Sequence, residues 1–191
     1  MTRRKGDTYY TPDALARGLV STLQPYIGSG QTILEPHAGG GAFVRALRHQ
    51  FPGVEVIAGD ADPFAPAFWY FDEIHMFDGD FMDARSTRDA VDWIVGNPPF
   101  SDAEEHASKA IGIAREGVAF LLRLGFMSSQ KRRAFWEEHP PASVHVLSER
   151  PSFTGGGTDK YDYAWITWRR GYRGPAALSW LSWREGGRRG A

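Results

Sequence analysis

The sequence predicts an α/β fold in a single domain: a mostly parallel sheet, helices on both faces and an antiparallel edge pair of strands. Three observations carry that expectation. Short apolar runs recur between stretches of helical periodicity, the pattern of strand–helix–strand crossovers. Several runs end in polar or glycine-rich segments: Glu35-Pro36-His37-Ala38-Gly39-Gly40-Gly41, Gly59-Asp60-Ala61-Asp62-Pro63 and Gly96-Asn97-Pro98-Pro99-Phe100. The last two runs, 144–147 and 163–168, have no helical segment between them, so they are expected to pair antiparallel.

Each element has its own signal. Leu15, Leu19, Val20 and Leu23 follow Pro12 at helical spacing, with Thr11 as candidate N-cap. Residues 32–34 form a first strand, and Phe43, Val44 and Leu47 mark the buried face of the helix after the glycines. Residues 54–58 read as a second strand, 74–77 as a weaker one and 93–95 as a clear one. A helix is expected from Asp102 to about Glu116, a strand over 118–124 and a helix over 128–138. In such sheets ligands bind beyond the carboxyl ends of the strands, where the polar segments fall.

With 191 residues the chain suits one domain, taken as 1–183, before a Gly/Arg-rich tail over 184–191 that is expected to be flexible. A formal net charge of −1 supplies no global attraction to nucleic acid, so any such affinity has to come from a local basic surface. The chain has no cysteine. That excludes disulfides, thiolate metal sites and a cysteine nucleophile, and with the last the usual covalent route to C5-cytosine methylation. No metal is expected. The basic, polar start lacks the apolar core of a secretory signal, and no apolar run approaches the roughly 18 residues of a membrane span. A cytoplasmic protein with no membrane partner is the expectation.

Glycines 39 to 41 ahead of a helix let a ligand approach the backbone closely. Position 44 is valine where a dinucleotide fingerprint needs glycine, and the Gly-Lys-Ser/Thr ending of a phosphate loop is missing. The loop therefore suits a nucleoside ligand without phosphates. Asp60 is placed to accept from ribose hydroxyls, and Asp80 to accept from an adenine amino group while Phe81 packs on the base. Taken singly, a glycine run is more often a turn and each aspartate a solvated loop residue; their order along the chain favours the nucleoside.

Asn97-Pro98-Pro99-Phe100 is the most informative segment. Consecutive prolines remove N–H donors and stiffen the backbone, leaving the Pro98 carbonyl as an acceptor. The Asn97 side-chain oxygen offers a second. An exocyclic NH₂ matches a pair of acceptors, and such contacts aim its lone pair at an electrophile without a strong base. Phe100 supplies a face for an extruded base.

On these residues the chain resembles the amino-methyltransferases of DNA whose cofactor loop precedes an Asn-Pro-Pro-aromatic motif, and is especially similar to short phage- and prophage-type adenine methylases. The resemblance runs from Tyr10-Thr11-Pro12 to about Trp168. It implies a Rossmann-like class I methyltransferase fold, S-adenosyl-L-methionine as cofactor, DNA as partner and an exocyclic amino group as target, with adenine N6 leading. It also implies that Tyr10 and Thr11 meet the methionine end of the cofactor. Glu35, His37, Gly39 and Gly41 would line the methionine and ribose region, Asp60 the ribose, and Asp80 with Phe81 the adenine. Asn97, Pro98 and Phe100 would hold the amine, on the turn that Pro99 stiffens. Phe153 resembles the second aromatic that packs on the flipped base. His37 is given no chemistry, a satisfied loop histidine being favoured. The aromatic segment 63–76 is expected to be core or a covering lid. There is no room for a separate target-recognition domain, so any sequence readout has to come from short loops.

Phosphate contacts are expected from Lys131, Arg132 and Arg133 and from Lys160 in the loop 154–160; for the triplet, a solvated helix face is an equal alternative. Cytosine N4, an RNA base and a protein glutamine amide stay open as targets. The alternative of a different class is a non-catalytic cofactor- or nucleic-acid-binding subunit, against which the intact Asn97 and glycine loop argue.

Overall fold

The computed structural model describes residues 10–67, 80–83, 91–153 and 157–184, with 75–78 as backbone. Phe68, Trp69, Tyr70, Phe71, part of the loop 154–160 and the tail 185–191 lie outside the described residues.

The elements are α1 (Asp13–Ser21), β1 (Thr32–Glu35), α2 (Ala42–Gln50), β2 (Glu55–Asp60), β3 (His75–Asp78) and β4 (Trp93–Gly96). There follow α3 (Ala103–Ile113), β5 (Gly117–Arg123), α4 (Arg133–Glu138), β6 (Ser143–Leu147), β7 (Tyr163–Arg169) and β8 (Ala177–Leu181). They build one eight-stranded sheet in the order β3-β2-β1-β4-β5-β7-β6-β8. The strands from β3 to β5 are parallel. β7 returns between β5 and β6, antiparallel to both. β8, which the sequence does not announce, adds parallel to β6. Its residues are exposed or half-buried, although four of its five are apolar.

Side-chain alternation along the strands makes two cores. Ile33, Trp93, Val95, Ala119 and Leu121 face Leu15 and Leu19 of α1 and Phe43 and Leu47 of α2. Leu34, Ile94, Val118, Phe120 and Leu122 face Ala107 and Ala110 of α3 and Phe135 of α4. Helices therefore cover both faces, and central strands buried on both sides read as unbroken apolar runs. Among the described residues no helix is long and apolar enough to cross a membrane.

Two local expectations change. The helix expected over 128–138 is divided into a 3₁₀ turn, Gln130–Arg132, and the short α4, and a further 3₁₀ turn, Leu124–Met127, precedes them. The Ser129 hydroxyl accepts the Lys131 N–H, a local bond that competes with helical pairing. At α1 the capping position is Pro12, with no side-chain cap, and Thr11 is used elsewhere.

The chain builds outward from β1 to β3, then crosses back to lay β4 on the other side of β1. This reversal makes the carboxyl ends of β1 and β4 a topological switch point, the usual ligand position in such sheets.

Candidate active site

Leu34 lies opposite Ile94 across β1 and β4, so Glu35 and Gly96 end their strands side by side. Glu35 is 1% exposed. Its Oε1 accepts the His37 N–H at 2.9 Å, while Oε2 is buried with no hydrogen-bond partner. A Cβ at Gly96 would run into this carboxylate, which would have to move to make room. Burial pushes the Glu35 carboxyl well above the ordinary 4.5; the His37 N–H opposes the shift and the Asp60 charge adds to it.

Gly39 and Gly41 have φ of 48° and 78°, left-handed conformations open to glycine at little cost. The turn aims the Gly39 N–H at Asp60 Oδ2, 2.8 Å away, and the Ala38 N–H at the Gly59 carbonyl, also 2.8 Å. Asp60 is buried, and its Oδ1 accepts the Asp62 N–H at 2.9 Å. In this structure Asp60 clamps the glycine loop to the end of β2 through both carboxylate oxygens. The Tyr10 ring lies across Gly39 and Gly40; Cβ atoms there would come within 3.4 and 3.3 Å of its Cδ1. Bare backbone is thus in contact with an aromatic ring.

Asp80 Oδ1 accepts the Met82 N–H at 2.9 Å. Phe81 departs from the expected adenine-facing position. It is 1% exposed and stacked on His106 of α3, with centroids 5.8 Å apart, and His37 meets it edge-on at 5.7 Å. Lys109 of α3 donates to the Phe81 and Met82 carbonyls. Packing by α3 turns this ring into core beneath the loop. His37 Nε2 lies 2.8 Å from His106 Nδ1, the arrangement of a packed loop histidine.

Asn97 follows β4. Its Nδ2 donates to Thr11 Oγ1 at 3.3 Å, and its Oδ1 is buried with no hydrogen-bond partner. Thr11, expected as a helix cap, therefore orients this amide. Pro98 is buried and Pro99 half-buried. The half-buried Phe100 ring packs against Tyr163 at 5.4 Å and Phe153 at 6.4 Å, inclined by 52° and 60°. Phe153 is 7% exposed and touches Tyr163 at 5.3 Å. The expected second aromatic does stand beside Phe100, but the rings meet edge to face, and a base entering between them has to part them.

Sequence reading missed Tyr163 and Arg123. They sit opposite one another in the β5–β7 register, a pairing between residues far apart in the chain that no local period encodes. Burial pushes the Tyr163 hydroxyl up. The Arg123 guanidinium lies 4.6 Å from the Phe100 centroid and 4.0 Å from that of Tyr161. A charged residue closing an apolar strand at its carboxyl end was the available signal.

Beyond Phe100 opens a cavity of about 710 Å³, bordered by Arg123, Met127, Arg132, Lys160, Tyr161 and Asp162. Of the expected phosphate-contacting cations, Arg132 and Lys160 border it, whereas Lys131 and Arg133 do not. Arg132 pairs with Glu104 at 3.3 Å. Arg133 is 79% exposed and pairs with Glu137 at 2.7 Å, a solvated helix face.

No protein-family model matches the chain, and no curated protein matches it. Solved structures do. A predicted O-methyltransferase from Agrobacterium tumefaciens is 17% identical with a TM-score of 0.63, over 89% of this chain and 85% of that one. The methyltransferase subunit of a type I restriction-modification system from Streptococcus thermophilus is 15% identical with a TM-score of 0.64, over 86% of this chain. The match spans 45% of that subunit's length. A dimethyladenosine transferase from Plasmodium falciparum is 13% identical with a TM-score of 0.63, over 84% of this chain and 62% of that one. At such identities the likeness is one of architecture: the chain has the fold of the Rossmann-like methyltransferases.

Proposed function

We propose that this chain is an S-adenosylmethionine-dependent methyltransferase acting on an exocyclic amino group of a nucleobase, with adenine N6 in DNA as the leading target. One observation carries the reading: the Asn97 amide, whose nitrogen end is engaged by Thr11 while its buried oxygen has no donor. A buried acceptor left unmet costs about 1–3 kcal/mol, a deficit that an incoming N–H removes. The fold likeness to a restriction-modification methyltransferase subunit and a dimethyladenosine transferase also supports it.

The residues present fit the cofactor. Glu35 Oε2, buried and without a hydrogen-bond partner, matches an ammonium group in charge and donor capacity. The bare backbone of Gly39 and Gly40, already covered by the Tyr10 ring, suits a flat or sulfur-bearing chain. Asp60 and Asp80 carry carboxylates, the acceptor type that suits ribose hydroxyls and an adenine amino group. When bound, the cofactor supplies an electrophilic methyl on sulfonium sulfur. The chain's own task is orientation: Asn97 Oδ1 and the Pro98 carbonyl would accept hydrogen bonds from the two amine protons and draw the nitrogen lone pair out of conjugation with the ring. As nitrogen gains the methyl it loses one proton, which passes by these acceptors to water. Positioning and fixed dipoles do this without a strong base.

The test is incubation with DNA and, separately, RNA in the presence of methyl-labelled cofactor, followed by nucleoside mass spectrometry. N6-methyladenine is expected; N4-methylcytosine would move the target, and no modified base in either polymer would overturn the reading. Asn97→Ala is expected to lower transfer by about 100-fold or more with cofactor affinity retained. Transfer that survives this substitution would remove Asn97 from the amine site.

A further inference from the structure

The cavity beyond Phe100 has charges and rings that methyl transfer at Asn97 does not use. Its bordering ionic groups are Arg123, Arg132, Lys160 and Asp162. Arg132 is answered by Glu104, and Asp162 by Arg150 at 2.7 Å. Among the described residues no carboxylate pairs with Arg123, and its Nε is buried without a hydrogen-bond partner. Lys160 is exposed, its ammonium 5.0 Å from the centroid of Tyr161. Tyr161 is a large ring left 39% exposed at the rim. Arg123, whose side chain also hydrogen-bonds the Tyr163 hydroxyl, and Lys160 are cations with which no described carboxylate pairs; beside an exposed aromatic they make a site for an anion that carries a flat apolar group.

We propose that this cavity holds the nucleotide flanking the target, with its phosphate on Arg123 and Lys160 and its base against Tyr161, and that the substrate strand is unpaired there. The proposal rests on the reading of Asn97 as the amine site. Its physical basis is that a base inside a duplex has both faces stacked on neighbouring pairs and cannot lay one on a protein ring. Aromatic faces combined with cations are the recognition chemistry of single strands. Lys160, a long exposed side chain, can leave the Tyr161 ring for a phosphate. Arg123 also lies against Phe100, so a phosphate held there tethers the strand next to the residue expected to face the target base.

The experiment reads binding without cofactor or turnover. A short fluorescein-labelled single-stranded oligonucleotide, and the same sequence as a blunt duplex, are titrated with the full chain across a salt series by fluorescence anisotropy. The single strand is expected to bind at least tenfold more tightly. Arg123→Gln and Lys160→Ala should each reduce the slope of log affinity against log salt by about 0.7, the value for one lost single-strand phosphate contact. Tyr161→Ala should weaken binding by roughly 5- to 100-fold at unchanged slope, and Tyr161→Phe should restore it. Lys160→Ala, at an exposed side chain, carries the phosphate test should Arg123→Gln fail to fold. Equal or tighter duplex binding, or unchanged slopes in the folded variants, would overturn the proposal. Its failure is separable from failure of the amine-site reading. This binding pattern without any methylated base would remove the latter alone, and methylated base with unaltered variants would remove the cavity assignment alone.

Discussion

Glu35 shows most directly how a single side chain couples stability to the site. A carboxylate at 1% exposure with one oxygen unpartnered is held at a desolvation cost. Its pKa is raised in the folded state by that burial, whereas in the unfolded chain it returns to the ordinary value. The sign follows: below 4.5 the group is protonated in both states and costs the fold nothing. As pH rises towards the folded value the unfolded chain ionises first, and stability is lost. Glu35→Gln removes the titration. Its melting temperature relative to the parent should rise as pH increases above 4.5, as read by thermal denaturation across pH. On the proposed pairing of Glu35 with the cofactor ammonium, cofactor affinity should fall in the same variant. A melting-temperature difference that does not vary with pH would show that Glu35 keeps an ordinary pKa. The neighbouring Gly96 is explained by the same contact, because any side chain there collides with this carboxylate.

At the scale of elements, the loop from β1 into α2 is the part in which sequence and geometry agree most closely. Gly41 caps α2 at φ 78°, and its N–H closes the turn on the Ala38 carbonyl at 2.7 Å. Gly41→Ala has to adopt the same left-handed conformation, at a cost of about 1–2 kcal/mol. Urea denaturation should show that loss, with cofactor affinity reduced alongside; an unchanged midpoint would mean that the turn re-forms without strain. This loop was legible because each of its signals is local: an apolar run, glycines and then an apolar helical face. The helix expected over 128–138 was misjudged for a local reason too, the Ser129 side-chain bond to Lys131 N–H. β8 was missed for a nonlocal one: its place in the sheet comes from pairing with β6, far from it in the chain.

For the molecule as a whole, a net charge of −1 means that nucleic-acid affinity is decided by where cations stand. Alanine at both Lys131 and Arg133, which lie off the cavity, should change single-strand affinity by less than about twofold. A tenfold loss in the anisotropy assay would shift the binding face onto the helix surface. What the sequence by itself determined was the α/β class, the places where strands give way to glycine, aspartate and Asn-Pro-Pro corners, and hence the end of the sheet proposed to carry chemistry. Those properties repeat over a few residues, and backbone sterics translate them directly into structure. Only the tertiary structure decided which distant residues meet. It buried Phe81 under α3, moved Thr11 from a helix cap to Asn97, set Arg123 opposite Tyr163, and closed Phe100 against Phe153. Such contacts depend on strand order and register, which are set by the packing of the entire sheet and leave no periodic trace in the chain.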